Sequence, residues 1–332
     1  MMDNMMLYML IYALAAAQGR EKALFGPHAV CGREAFMRSV PGKCFPELWF
    51  ELPLTGEPWF DLHVLTASGD LDAADPPAPD TCGGYAEAFR WFASAQNVRQ
   101  LALSWDLNAG RLAAAIQLLL SRRDDDTACD FLSAAGKPEA APACRAFLGR
   151  MPGDWFACYL GVFPSRPRHH LRLECIPSAS LQKAYAQDVS LLARHLSQVG
   201  LTNLEDSVLP RCQLLAASPF QFEFQFDVGQ DGTACPVLGA SLRFALGKGT
   251  DRMEAFRTGG AAGRIMAEIE NWGLADSRWR LLEDTAFARR VTHGLESSLL
   301  YCAPVFVKLR WREGRPLDAK VYLQAGEQKP VE

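Results

Sequence analysis

Five basic side chains and a phenol stand in phase on strand-like runs late in the sequence: Arg172, Arg243, Lys308, Arg310, Lys320 and Tyr322. Arg offers a planar fork of donors that matches phosphate oxygens, and Lys offers a compact point charge. Side chains of this kind converging on one space would hold a concentrated negative charge, and a diphosphate fits best. An earlier set carries proton chemistry: Glu51 and His63, with Asp61 close by in the same hairpin pattern. A carboxylate and an imidazole within hydrogen-bond reach of a substrate can take or return a proton. Taken one at a time, such residues are ordinary on a solvated strand face. Their common parity sets them apart.

That parity comes from hairpins. The last, Val305 to Ala325, reads VFVKLRWREGRPLDAKVYLQA around Glu313-Gly314-Arg315-Pro316. Successive strand residues point to opposite faces, so Val305, Val307, Leu309 and Trp311 are placed on one side and Phe306, Lys308 and Arg310 on the other. Four further hairpins are expected at 47–66, 98–121, 155–176 and 220–246, with residues 112–121 the least strand-like. Helical patterns fill the intervals: Ala86 to Gln96, Asp126 to Ala134, Ala141 to Met151, Leu181 to Val199, Ala261 to Trp272 and Arg278 to Val291. A hairpin recurring every 50 to 85 residues (roughly), with helices between, is the mark of an internal repeat.

Hairpins alternating with helices favour an antiparallel sheet with its helices on one side, and ten such strands curl and close to remove their edges. The sequence therefore predicts an α+β fold: one domain over residues 1–332, a ten-stranded antiparallel barrel in a helical jacket, with the polar faces inside. Strand parity places Trp49, Glu51, Asp61, His63, Ser104, Asp106, Gln117, Tyr159, His170, Arg172, Glu174, Gln221, Glu223, Gln225, Ser241, Arg243, Lys308, Arg310, Lys320, Tyr322 and Gln324 in the lumen. The acids would gather on the earlier strands and the cations on the later ones.

Composition narrows the classes. The chain is 49% hydrophobic and 22% charged, with a formal net charge of −4, which gives no electrostatic case for nucleic acid or an anionic membrane. Ten cysteines are spread without a CxxC pair, which argues against zinc and redox motifs and for a reduced, cytoplasmic protein. The start, MMDNMMLYMLIYALAAAQG, is apolar like a signal peptide, but it lacks a basic n-region and carries Asp3, and reads as a buried first helix. Arg122-Arg123-Asp124-Asp125-Asp126 lacks the spacing of an aspartate-rich metal motif, Gly247-Lys248-Gly249-Thr250 lacks the P-loop glycine, and His169-His170 has no third ligand near in sequence. No metal site is expected from these residues.

The pattern resembles the ABBA-type prenyltransferases, most closely the cyanobactin peptide prenyltransferases. The resemblance rests on chain length, a final strand near the C-terminus, Lys320-x-Tyr322, and the run from Asp106-Leu107-Asn108 through Gln117. It implies a barrel of five helix–strand–strand–helix repeats that moves an isoprenyl group from dimethylallyl or geranyl diphosphate, with or without Mg²⁺, to an aromatic or RiPP-type peptide acceptor. By position it assigns Arg172, Arg243, Lys308, Arg310, Lys320, Tyr322, Tyr159 and Gln117 to the diphosphate, although Gln117 stands where a Lys is usual. It assigns proton chemistry to Glu51 and His63, and shielding of an allylic cation to Trp49, Tyr159 and Tyr322. It also implies a monomer or weak homo-oligomer without nucleic-acid or membrane partners. Two other readings stay open: a barrel that binds an anionic ligand or precursor peptide without turnover, and a hydrolase using His63 or His170 with Asp61 or Glu174.

Overall fold

The computed structural model of the chain describes residues 19–26, 47–67, 85–107, 114–121, 124–164, 171–244, 256–293, 296–312 and 315–328. The apolar start, His169-His170 and Gly247-Lys248-Gly249-Thr250 lie outside these residues.

Its sheet runs through β1 (Glu47–Pro53), β2 (Asp61–Ala67), β3 (Val98–Trp105), β4 (Ala115–Leu120), β5 (Trp155–Val162), β6 (Leu171–Pro177), β7 (Gln221–Val228), β8 (Ala234–Arg243), β9 (Phe287–His293), β10 (Glu296–Arg312) and β11 (Arg315–Gln328). Neighbours pair antiparallel from β1 to β8; β8 pairs with β10, β10 with β11, and β11 returns to β1 with Glu51 opposite Tyr322. Ten strands thus close a barrel, and all five expected hairpins lie within it. The eleventh strand, β9, was not foreseen. It pairs with the first half of β10, from Glu296 to Cys302, in line with β8, which pairs with the second half.

The helices are α1 (Glu21–Phe25), α2 (Ala86–Ser94), α3 (Asp125–Ala134), α4 (Ala141–Arg150), α5 (Ala179–Gln187), α6 (Val189–Gln198), α7 (Val208–Ala216) and α8 (Ala261–Asn271). They cover the outward face of the strands. Phe222, Phe224 and Phe226 on β7 are fully buried there, Trp155 stacks on Phe224 and Phe226 at 5.0 and 5.7 Å, and Phe147 of α4 meets Phe226 at 5.3 Å. The Trp155 indole N–H donates to Tyr185 Oη at 2.7 Å, which fixes α5 on this wall. Burial of this aromatic face supplies the bulk of the cohesion, since apolar area is the dominant favourable contribution to folding.

Three expectations need correction. The stripe from Leu181 to Val199 is two helices, because Asp188 turns out of the helix and caps the next one, accepting from Ser190 N at 2.9 Å and Leu191 N at 3.2 Å. Residues Arg278 to Val291 are not an α-helix: Ser277–Thr285 winds as 3₁₀, Thr285 Oγ1 donates to Leu282 O, and Phe287–His293 leaves as β9. Third, β10 carries a register shift between Pro304 and Phe306, so Val305 joins Phe306 and Tyr322 in an inner cluster while Val307, Leu309 and Trp311 join the outer core. A bulge re-aims a side chain in this way. The Asp124–Asp126 run is a helix start, with Asp124 Oδ1 accepting from Thr127 N at 2.9 Å.

Candidate functional site

The inner face encloses a cavity of about 860 Å³, counted out to where it meets solvent. Its wall contains Trp49, Glu51, Asp61, His63, Ser104, Asp106, Gln117, Tyr159, Arg172, Glu174, Gln225, Arg243, Lys308, Arg310, Lys320 and Tyr322, all placed inside by strand parity. Gln221, Glu223, Ser241 and Gln324 share the inner face but stay out of the wall, and His170 is not described. Parity reasoning passed over the apolar lining: Leu65, Ala102, Trp105, Leu119, Phe163 and Phe306. Phe306 lies in phase with Lys308 and Arg310 and was visible on that count. Asp227 was likewise in phase with Glu223 and Gln225.

A hydrogen-bonded chain runs across the first four strands. Gln117 donates to Ser104 Oγ, Ser104 Oγ lies 2.6 Å from His63 Nδ1, and His63 Nε2 lies 3.1 Å from Glu51 Oε2. Gln117 therefore reaches the imidazole through Ser104 while lining the cavity. Glu51 also accepts from Lys320 Nζ at 2.5 Å and from the Tyr322 hydroxyl. Burial alone would raise its pKa, but Lys320, the His63 hydrogen bond and Lys308 hold the carboxyl well below the usual range. Burial and Glu51 push the Tyr322 phenol well up. Glu51 is thus a charged carboxylate with neutral Tyr322 beside it.

The cations are not bare, and here the expected division between acidic early strands and basic late strands fails. Arg172 Nε donates to Asp227 Oδ1 at 2.7 Å and Arg310 Nη2 to Asp227 Oδ2 at 3.0 Å. Arg243 grips Glu223 through Nε at 2.9 Å and Nη2 at 3.4 Å. Lys320 has Asp61 and Asp318 at 3.9 Å besides Glu51. These acids alternate on the same inner rows, because a charge buried in a protein interior needs a partner. Lys308 is the exception among the five: its Nζ meets Tyr322 Oη at 3.3 Å, and burial followed by Arg172 pushes its pKa down to about 7. Burial and the adjoining Glu223 push Glu174 up to about 8.

Aromatic rings fill the other side. Phe306 stacks on Tyr322 with centroids 4.0 Å apart, Trp49 lies 5.4 Å from Phe306, and the Arg243 guanidinium sits 5.3 Å over the Phe306 ring. Arg172 sits 4.8 Å over Phe163, whose ring occupies the space above Gly161; a Cβ on Gly161 would come within 2.6 Å of it. Among the described residues no group of three or more His, Cys, Asp or Glu side chains is placed to hold a metal ion. The described cysteines are all free thiols. No described helix is long and apolar enough to cross a membrane.

No protein-family model matches the chain, and no curated protein matches it. Among solved structures it is similar to a 6-dimethylallyltryptophan synthase from Micromonospora olivasterospora in complex with DMASPP and Trp, at 14% identity and a TM-score of 0.49, over 96% of this chain and 95% of that one. It is similar to a structure described as 6-dimethylallyl tryptophan synthase at 13% identity and a TM-score of 0.48, over 99% and 98% of the two chains. A third likeness is to the prenyltransferase PriB in its apo form, at 14% identity and a TM-score of 0.47, over 97% and 99%.

Proposed function

We propose that the chain is a prenyltransferase, moving an isoprenyl group from an isoprenyl diphosphate to an aromatic or peptide side chain held in the lumen. The observation that carries this reading is the meeting, in one cavity, of the Arg172–Lys308–Arg310 group, the Trp49–Phe306–Tyr322 rings and the Glu51–His63 pair.

Heterolysis of the allylic C–O bond leaves the electron pair on diphosphate and an allylic cation. Lys308, Arg172 and Arg310 stabilise the departing anion as its charge grows. The faces of Trp49, Tyr322 and Phe306 stabilise the cation and exclude water, which would otherwise capture it. An electron-rich ring of the acceptor then forms the new C–C bond and becomes an arenium ion. That ion is a strong acid, so a weak base suffices to remove its proton. Glu51 is charged and held by three donors, and the His63–Ser104–Gln117 chain beside it fixes where that carboxylate sits.

Thermal shift with dimethylallyl and geranyl diphosphate tests the first half, because a ligand that binds the fold raises the melting temperature by mass action. Mass spectrometry of aromatic amino acids and peptides incubated with the donor tests the second. Absence of any shift at millimolar donor overturns the reading. A shift without product supports a binding barrel instead. Lys308→Ala should abolish the shift; Arg243→Ala, which takes from Glu223 its cation but not its Gln221 hydrogen bond, should weaken it less.

A further inference from the structure

We propose that Asp227 is a positioning residue that yokes Arg172 and Arg310 into a single seat for the donor's diphosphate; this rests on the prenyl-transfer reading above.

The two arginines come from β6 and β10, with β7 and β8 between them in the sheet. Like charges placed together inside a barrel repel, and each guanidinium has lost most of its water: the Arg172 side chain is 5% exposed and that of Arg310 24%. Asp227, 7% exposed, gives one oxygen to each, at 2.7 and 3.0 Å. Burial disfavours the Arg172 charge, and the Asp227 carboxylate more than reverses that, raising its pKa. Arg172 and Arg310 line the cavity, whereas Asp227 does not. The acid therefore ties the two cations from outside the wall, and both arginines line the lumen.

A second observation points to a ligand. Arg172 Nη2 is buried and has no hydrogen-bond partner. Asp227 engages Arg172 only through Nε, so the fork is half used. A buried guanidinium N–H without an acceptor is rare in a folded chain. A phosphate oxygen entering the cavity would supply it, while Asp227 keeps Nε and with it the plane of the guanidinium. Lys308 lies close to both arginines.

Asp227→Asn tests this, because an amide presents an oxygen to one arginine and an NH₂ to the other, breaking the yoke with little change of volume. Titration calorimetry with inorganic pyrophosphate should show at least tenfold weaker binding in D227N, with partial recovery in D227E. In turnover assays the donor KM should rise and the acceptor KM stay unchanged, a split that general loosening of the barrel would not give. If folded D227N binds pyrophosphate as well as or better than the parent chain, the proposal falls and the prenyl-transfer reading stands. If the parent chain itself binds no pyrophosphate, both fall. Should D227N not fold, a crystal structure of the parent chain with pyrophosphate decides: the proposal requires the Arg172–Asp227 contact kept and an anion oxygen on Arg172 Nη2, and a ligand that displaces Asp227 overturns it.

Discussion

His63 Nε2 faces Glu51 Oε2 at 3.1 Å across the β1–β2 ladder, while its other nitrogen meets Ser104 Oγ at 2.6 Å. The neutral ring that fits both bonds carries its proton on Nε2, donating to Glu51 and accepting from Ser104. Replacing Glu51 by Gln keeps the shape and removes the charge to which the proposed reaction gives the acceptor's proton. Turnover should fall by about 10²–10⁴, the usual worth of a positioned proton acceptor. Pyrophosphate affinity, by calorimetry, should hold or tighten, since Lys320 loses its main counter-charge.

Lys308 should make donor binding depend on pH. Its pKa in the fold is pushed down to about 7, by burial and then by Arg172. The charged form dominates below that value and is lost above it. The donor KM should therefore rise between pH 6.5 and 9, by about tenfold for one charge-assisted bond lost. Lys308→Arg, which keeps its proton throughout, should flatten that profile.

Glu174 should make stability, too, fall as pH rises. Its folded pKa, pushed up to about 8 by burial and by Glu223, lies above that of an unfolded Glu. Its contribution is full below the unfolded value and is lost as pH rises through 8, where the fold must bear a buried carboxylate. Glu174→Gln should be more stable than the parent chain at pH 9 and lose that advantage by pH 5, with a difference on the order of 4 kcal/mol. Urea melts at the two pH values measure it.

Gly232, in the turn between β7 and β8, has φ +72°, and a Cβ there would lie 2.5 Å from Ala146 Cβ and 2.8 Å from Ala143 O on α4. Gly232→Ala combines left-handed strain with a clash against a helix, and should destabilise by about 2–4 kcal/mol. Chemical denaturation checks the size.

The barrel was legible because a period of two is a strong signal and neighbouring hairpins repeat it; Phe220 to Val228 alone nearly fixes which face is which. What escaped was set by contacts between strands. The partnership of Arg172 with Asp227 spans 55 residues, and Arg310 with Asp227 spans 83, distances over which sequence carries no phase. Val305 escaped because it is itself the extra residue of a bulge between Pro304 and Phe306, which breaks the alternation. Arg278 to Val291 has helical spacing of apolar residues, yet the open side of β10 offers Phe287–His293 a ladder that outweighs that weak preference. Asp188 was readable in hindsight, since Asp two residues before a Ser amide within a helical stripe is a ready cap.

The seam joining β1 to β11 has a consequence for biogenesis. Glu51 draws its hydroxyl partner from Tyr322, 271 residues further on, and its ammonium partner from Lys320. On the ribosome, the first hairpin is made long before the strand that completes it, and its inner row must wait with one edge open. Such late closure makes for slow maturation and a need for protection of the nascent chain. A polypeptide cut short of its last strand would lose two of its acid's partners at one stroke.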